Sequence, residues 1–162
     1  MDFKTFLPDF NAIGKTDWGK PNLKVDTKDP IAIALLAGAA LMLIFVFTPW
    51  ATYTTYGVSV SKYGLVTWYG LFGLICALAA VVGVLYKHTE LAFCAAVLGV
   101  IFGLIGAVMV PSFTVALVEV PAERIKAAVA AGRASVGHWG AYLYLVATVV
   151  TGVAAYLKIT KK

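Results

Sequence analysis

Charge is scarce in this chain, and its distribution is uneven. Only 13% of the 162 residues are Asp, Glu, Lys or Arg, and residues 31–61, 64–86, 91–118 and 134–157 contain none. Pumps and coupled transporters usually place Asp, Glu, Lys or Arg inside the bilayer to bind an ion or relay a proton. None of these stretches supplies one of the four. Cysteine is limited to Cys76 and Cys94, both within apolar runs, so an extracytoplasmic disulfide framework is excluded and neither has metal-ligand spacing. They read as small core residues. No CxxC pair, HExxH, Ser/His/Asp arrangement or Gly-rich phosphate loop occurs, so no catalytic residue, metal site or enzyme activity is expected. The net charge of +5 is spread over the ends of apolar runs instead of forming one basic face, so nucleic acid is not an expected partner. The N-terminus lacks the short apolar core and small-residue cleavage site of a signal peptide, and the first apolar run is expected to act as its own insertion signal. No repeat of the inverted-transporter kind is visible.

What is abundant is apolar length. Hydrophobic residues make up 61% of the chain, above the roughly 45–50% of soluble domains, and mean hydropathy is +0.88. Leu91–Val110 is an uncharged run of 20 residues, which at about 1.5 Å per helical residue covers the roughly 30 Å hydrocarbon core. Gly99, Gly103 and Gly106 share one face of it, and Gly70 and Gly73 stand at helical spacing in the run 64–86. Such small-residue faces let helix backbones approach closely. With runs at 31–49 and 137–157 the expected fold is an all-α integral membrane protein, an antiparallel bundle of four transmembrane helices spanning residues 31–158. The short connection Lys87–Glu90 makes the second and third helices antiparallel neighbours, and it turns the glycine face of the third toward the second. Residues 51–63, rich in β-branched and aromatic side chains with Gly57 at a turn position, predict a short hairpin or extended loop. Pro111 ends the third helix, 112–120 is expected to lie as an apolar interfacial segment, and Pro121 opens a surface helix over about 122–134 with Ile125, Val129 and Val136 on one side.

Residues 1–30 carry five Lys and five Asp together with Phe3, Phe6, Phe10 and Trp18, aromatics that a solvated tail normally lacks. These four are the candidate partner contacts, against the alternative that they lie on the protein's own helices or on lipid headgroups. Nine of the 13 Lys and Arg fall in this arm, the Lys87 connection and the C-terminal end, where Lys158 closes the last run and Lys161 and Lys162 lie in the basic tail at 159–162. The positive-inside rule therefore predicts cytoplasmic N- and C-termini in a plasma (inner) membrane. His88 and His138 would face opposite sides, so a haem bridging them is not expected. His138, beside Trp139, is the one candidate cofactor ligand, weighed against an interfacial histidine bonded to headgroups or backbone. No cofactor is expected.

The order of parts, with Pro49-Trp50 closing the first run, a β-prone loop carrying Gly57, and Gly64 and Gly70 opening the second, resembles the small tetraspan proteins of the claudin-like type and their prokaryotic look-alikes. The resemblance covers residues 31–157 in topology and 49–73 in motif. It implies a left-handed four-helix bundle with an extracytoplasmic β-type loop that makes lateral or partner contacts. The claudin loop signature includes two further aromatics and a cysteine pair, and this loop has no Cys, so barrier activity is not implied.

Charge-free helices, small-residue faces and an aromatic arm together predict a non-catalytic structural or accessory subunit that forms a homo-oligomer or assembles with other membrane subunits in the lipid bilayer. A small pore, holin or passive channel built from several copies is the alternative, and a cofactor-bearing membrane anchor is the third.

Overall fold

The computed structural model describes residues 28–115 and 118–161. Phe3, Phe6, Phe10, Trp18 and Lys162 lie outside the described residues. The first helix, α1 (Pro30–Val46), starts where the Asp29 carboxylate accepts the Ile31 N–H at 3.0 Å, with Pro30 at its first position. Both features suit a helix N-terminus, where backbone donors lack intrahelical partners and proline costs no hydrogen bond. Leu35, Gly38, Ala39, Met42 and Val46 recur on its buried face.

This helix ends three residues before the expected Pro49. The carbonyl of Phe45 is taken by the Thr48 hydroxyl at 2.7 Å and by the Trp50 indole N–H at 2.8 Å. Pro49 has no N–H with which to continue the helical ladder, and the chain turns there into strand β1 (Pro49–Thr55). At 17 residues α1 is shorter than a candidate span, so three helices among the described residues, not four, are long and apolar enough by themselves to cross a membrane.

Strand β1 pairs antiparallel with β2 (Val58–Tyr63) through the two-residue turn Tyr56-Gly57, both at positive φ, 46° and 79°. That is the backbone of a type I′ hairpin, which matches the right-handed twist of the strands. The second helix, α2 (Trp68–Leu85), begins four residues later than expected. Gly64–Val66 is a 3₁₀ turn, and Thr67 caps the helix by accepting the Gly70 N–H at 3.2 Å while donating to the Gly64 carbonyl at 2.8 Å. A Cβ on Gly70 would collide with that same carbonyl, so this fold-back needs glycine. Helix α3 (Thr89–Val108) follows a tight turn in which Lys87 adopts φ 59°.

The segment expected to lie flat after Pro111 forms a hairpin of β3 (Phe113–Val115) and β4 (Val118–Val120). Helix α4 (Ala122–Ala130) is shorter than the expected 122–134, because Gly132 at φ 69° breaks it. Residues Ala134–Gly137 form a strand, β5, that pairs antiparallel with β1 and gives a three-stranded sheet in the order β2-β1-β5. Val136 therefore enters the core from a strand and not from a helix face. Ile125 is fully buried with Ala51, Tyr53 and Phe113, so α4 packs onto the sheets by its apolar side. The last helix, α5, is Trp139–Thr160.

Helices α1, α2, α3 and α5 form a ring in which each touches two neighbours. Contacts run in opposite directions along each pair: Gly99 meets Thr148 while Gly106 meets Ala141, and Gly38 meets Thr151 while Gly140 meets Pro49. The sheets and α4 cap the end of the ring where α1 and α3 finish and α2 and α5 begin.

Candidate functional site

The capped end is organised by Trp50. Its side chain is fully buried and lies 5.9 Å from Tyr69, nearly parallel, and 5.0 Å from Tyr144, tilted by 48°. Aromatic pairs at these separations contribute about 0.5–1.5 kcal/mol beyond area burial. Glycines from two helices and the 3₁₀ turn make room for the indole: an added Cβ would stand 2.7 Å from it at Gly64, 3.1 Å at Gly73 and 2.7 Å at Gly106. Tyr144, also fully buried, donates its hydroxyl proton to the Gly73 carbonyl at 2.8 Å. This bond and the indole join α1, α2, α3 and α5 in one cluster, completed along the bundle by Met42, Ala77, Ala80 and Ala147.

The glycines singled out in the sequence all lie at close contacts, but with different partners from those expected. Gly99 faces Thr148, Met42 and the Tyr144 hydroxyl, Gly103 faces Leu145, and Gly106 faces Trp50 and Ala141. The glycine face of α3 thus meets α5 and Trp50, not α2. The contact between α2 and α3 runs instead through the stacked rings of Phe72 and Phe102, 5.0 Å apart, and through Gly83 against Ala92 at the turn. A short connection makes two helices neighbours but leaves their rotation free, and the large aromatic pair occupies the side where glycine was expected. Gly70 serves the fold-back onto Gly64 and not a helix–helix contact.

His138 immediately precedes α5, half-buried, while His88 lies in the turn at the opposite end of the bundle. Burial pushes the His138 pKa below its usual value of 6.5, because a desolvated imidazolium loses hydration that the neutral ring does not need. The backbone oxygens of Trp50 and Gly106 act weakly in the opposite direction, and Nδ1 completes no hydrogen bond among the described residues. Among those residues no group of three His, Cys, Asp or Glu could hold a metal ion. A lowered folded-state pKa costs no stability above the unfolded value and costs progressively more as pH falls from about 6.5 through the folded pKa. His138→Gln should therefore lose less thermal stability than the parent between about pH 7.5 and pH 5. Equal losses in melts at the two pH values would remove His138 as a source of acid sensitivity.

The two faces of the β2-β1-β5 sheet differ. The inner face packs Ala51, Tyr53, Val60 and Val136 over Phe113 and Ile125, while the outer face pairs Thr52 with Ser61 at 3.2 Å and Thr54 with Ser59 at 2.9 Å. Lys62 reaches inward and donates to the Ser112 carbonyl at 2.8 Å, tying the two sheets together.

Comparison with protein-family models, curated proteins and solved structures found no match. The geometry above is thus the basis for any functional reading. Its main feature is the burial of Trp50, whereas an indole at the end of an apolar run, just after Pro49, is by sequence alone expected at a membrane interface. Gly64 and Gly73 lie far from Gly106 in the sequence, and only the fold brings the three together around the indole.

Proposed function

We propose that this chain is a non-catalytic, four-span integral membrane subunit that assembles with copies of itself or with other membrane subunits. The observation that carries the reading is a bundle axis filled by its own side chains. Trp50, Tyr144, Met42 and Val46 are fully buried between the helices. The buried hydroxyls of Thr148 and Thr151 donate to the carbonyls of Leu145 and Ala147 at 2.7 and 2.8 Å, so they bond within their own helix. A solid apolar interior with self-satisfied polar groups suits a scaffold better than a transport path, which needs polar side chains facing a water-filled cavity. In this reading α1 is the fourth span, the termini are cytoplasmic, the cap stands on the opposite side, and the arm at 1–27 contacts the neighbouring subunit.

The test is the native mass of the protein extracted in mild detergent, compared with a form lacking residues 2–20. The full chain should run as an oligomer or as a complex of fixed stoichiometry, and the deletion should insert normally but run smaller. A monomer of unchanged size in both forms, or ion-selective current in planar bilayers, would overturn the proposal.

A further inference from the structure

We infer that a single lipid slab about 28 Å thick cuts all four bundle helices at matched levels, with a ring of exposed aromatic side chains at the boundary beneath the cap. The inference rests on the membrane reading above and adds where the bilayer begins and ends on this molecule.

The first observation is the ring itself. Phe47, Tyr63, Trp68, Trp139 and Tyr142 are each between 49% and 54% exposed, and all lie at the capped end: just past α1, just before α2, and in the first turns of α2 and α5. Contacts hold these chain segments together there, with Gly140 against the Pro49 carbonyl and Gly64 against that of Val46. Trp50 is buried and Trp68 and Trp139 are not, so the ring is a property of the outer surface and not of the core. Half-exposed indoles and phenols at the ends of apolar helices are what the headgroup boundary favours.

The second observation comes from the opposite end of the bundle and is measured against the ring. At the far end each helix carries a charged residue: Asp29 before α1, Lys87 after α2, Glu90 in the first turn of α3, and Lys158 in the last turn of α5. Asp29 and Lys158 stand 3.5 Å apart, which fixes the start of α1 and the end of α5 at one height. Asp29 and Phe47 are 18 residues apart, and Trp68 to Lys87, Glu90 to Met109 and Trp139 to Lys158 are 19 each. At about 1.5 Å per residue the four intervals agree at roughly 27–29 Å.

Between these limits the exposed side chains of the helices, such as Ile33, Ile44, Ile75, Leu104, Val146 and Val153, are all apolar among the described residues. The shortness of α1 is thus compensated by Phe47 and Asp29 at its two ends, and α1 crosses the same slab as its neighbours. A thickness of about 28 Å is close to that of thin membranes of the endoplasmic-reticulum kind and below the roughly 32 Å of sterol-rich ones. The cap, with α4 and Lys62, Arg124, Lys126 and Arg133, then lies at and beyond the headgroups.

Two measurements on reconstituted full-length protein test this. In Trp18→Phe protein, the share of fluorescence removed by a further Trp68→Phe or Trp139→Phe change reports each indole in vesicles of lipids brominated near the headgroup or near the chain end. Both indoles should be quenched roughly twofold more by the shallow bromine; equal or deeper quenching overturns the boundary. In protein carrying Cys76→Ala and Cys94→Ala, a membrane-impermeant thiol reagent should reach Ser59→Cys and Lys28→Cys from opposite sides. Labelling of both from one side overturns the crossing of α1. Release of the protein from vesicles by alkaline carbonate would instead overturn the membrane reading itself.

Discussion

Trp50→Ala is expected to be the most destabilising single substitution in the described part of the chain, lowering stability by about 3 kcal/mol or more. The indole is fully buried, stacked on Tyr69, set against Tyr144 and enclosed by three glycines. Truncation leaves a cavity that those glycines cannot fill. On the membrane reading proposed above, the loss is one of packing and not of transfer from water, which puts the expected value at the low end of the range for tryptophan truncation. Trp50→Phe should cost less, because the Phe45 carbonyl that loses the indole donor keeps the Thr48 hydroxyl at 2.7 Å. Thermal unfolding in a mild detergent measures both, with Trp68→Ala as the comparison, since Trp68 is 53% exposed. If Trp50→Ala and Trp68→Ala melt at the same temperature, Trp50 does not hold the capped end together.

The second large effect is expected at Gly106→Leu. A Cβ there would stand 2.7 Å from Cε3 of Trp50, and the ring cannot retreat because Gly64 and Gly73 already press on its other edges. Overpacking of this kind costs about 1–3 kcal/mol, and the loss of helix contact should appear as a lower melting temperature and greater protease sensitivity of the cap. Gly152→Ala is the counterpart of opposite sign. Its Cβ would lie 3.5 Å from that of Ala96, an ordinary contact, so the helix-propensity gain of about 0.8–1 kcal/mol should be retained. Destabilisation at both positions would mean that the glycine spacing is not set by the indole.

The helices were legible wherever a charge-free run was bounded by a charge or a proline, and α3 lies within two residues of the stretch read from composition. The hairpin at Tyr56-Gly57 was legible for a local reason, since its turn and both strands are contiguous. The strand β5 was not. Ala134, Ser135 and Gly137 are weak strand formers, and what makes them a strand is pairing with β1, which lies far earlier in the chain, in the register Thr54↔Ser135 and Thr52↔Gly137. Helix rotation was equally hidden, because the Phe72–Phe102 stack that sets α2 against α3 depends on three-dimensional fit and not on periodicity. The core role of Trp50 went unread because the Thr48 and Trp50 bonds that end α1 at Val46 can be seen only once the chain has turned.

The pairing of β1 with β5 also constrains the order of events as the protein is made. Thr55 leaves the ribosome long before Ala134, its partner, and α2, α3 and α4 are synthesised in between. Until Ala134–Gly137 arrives, β1 has one edge with unpaired N–H and C=O groups, the kind of edge that recruits other chains. Closing so long a loop is a slow, late step relative to local helix and hairpin formation. A chain halted before Ala134 would leave this sheet open on one side, whereas one halted just before Trp139 would already hold all three strands and lack only the helix that closes the ring.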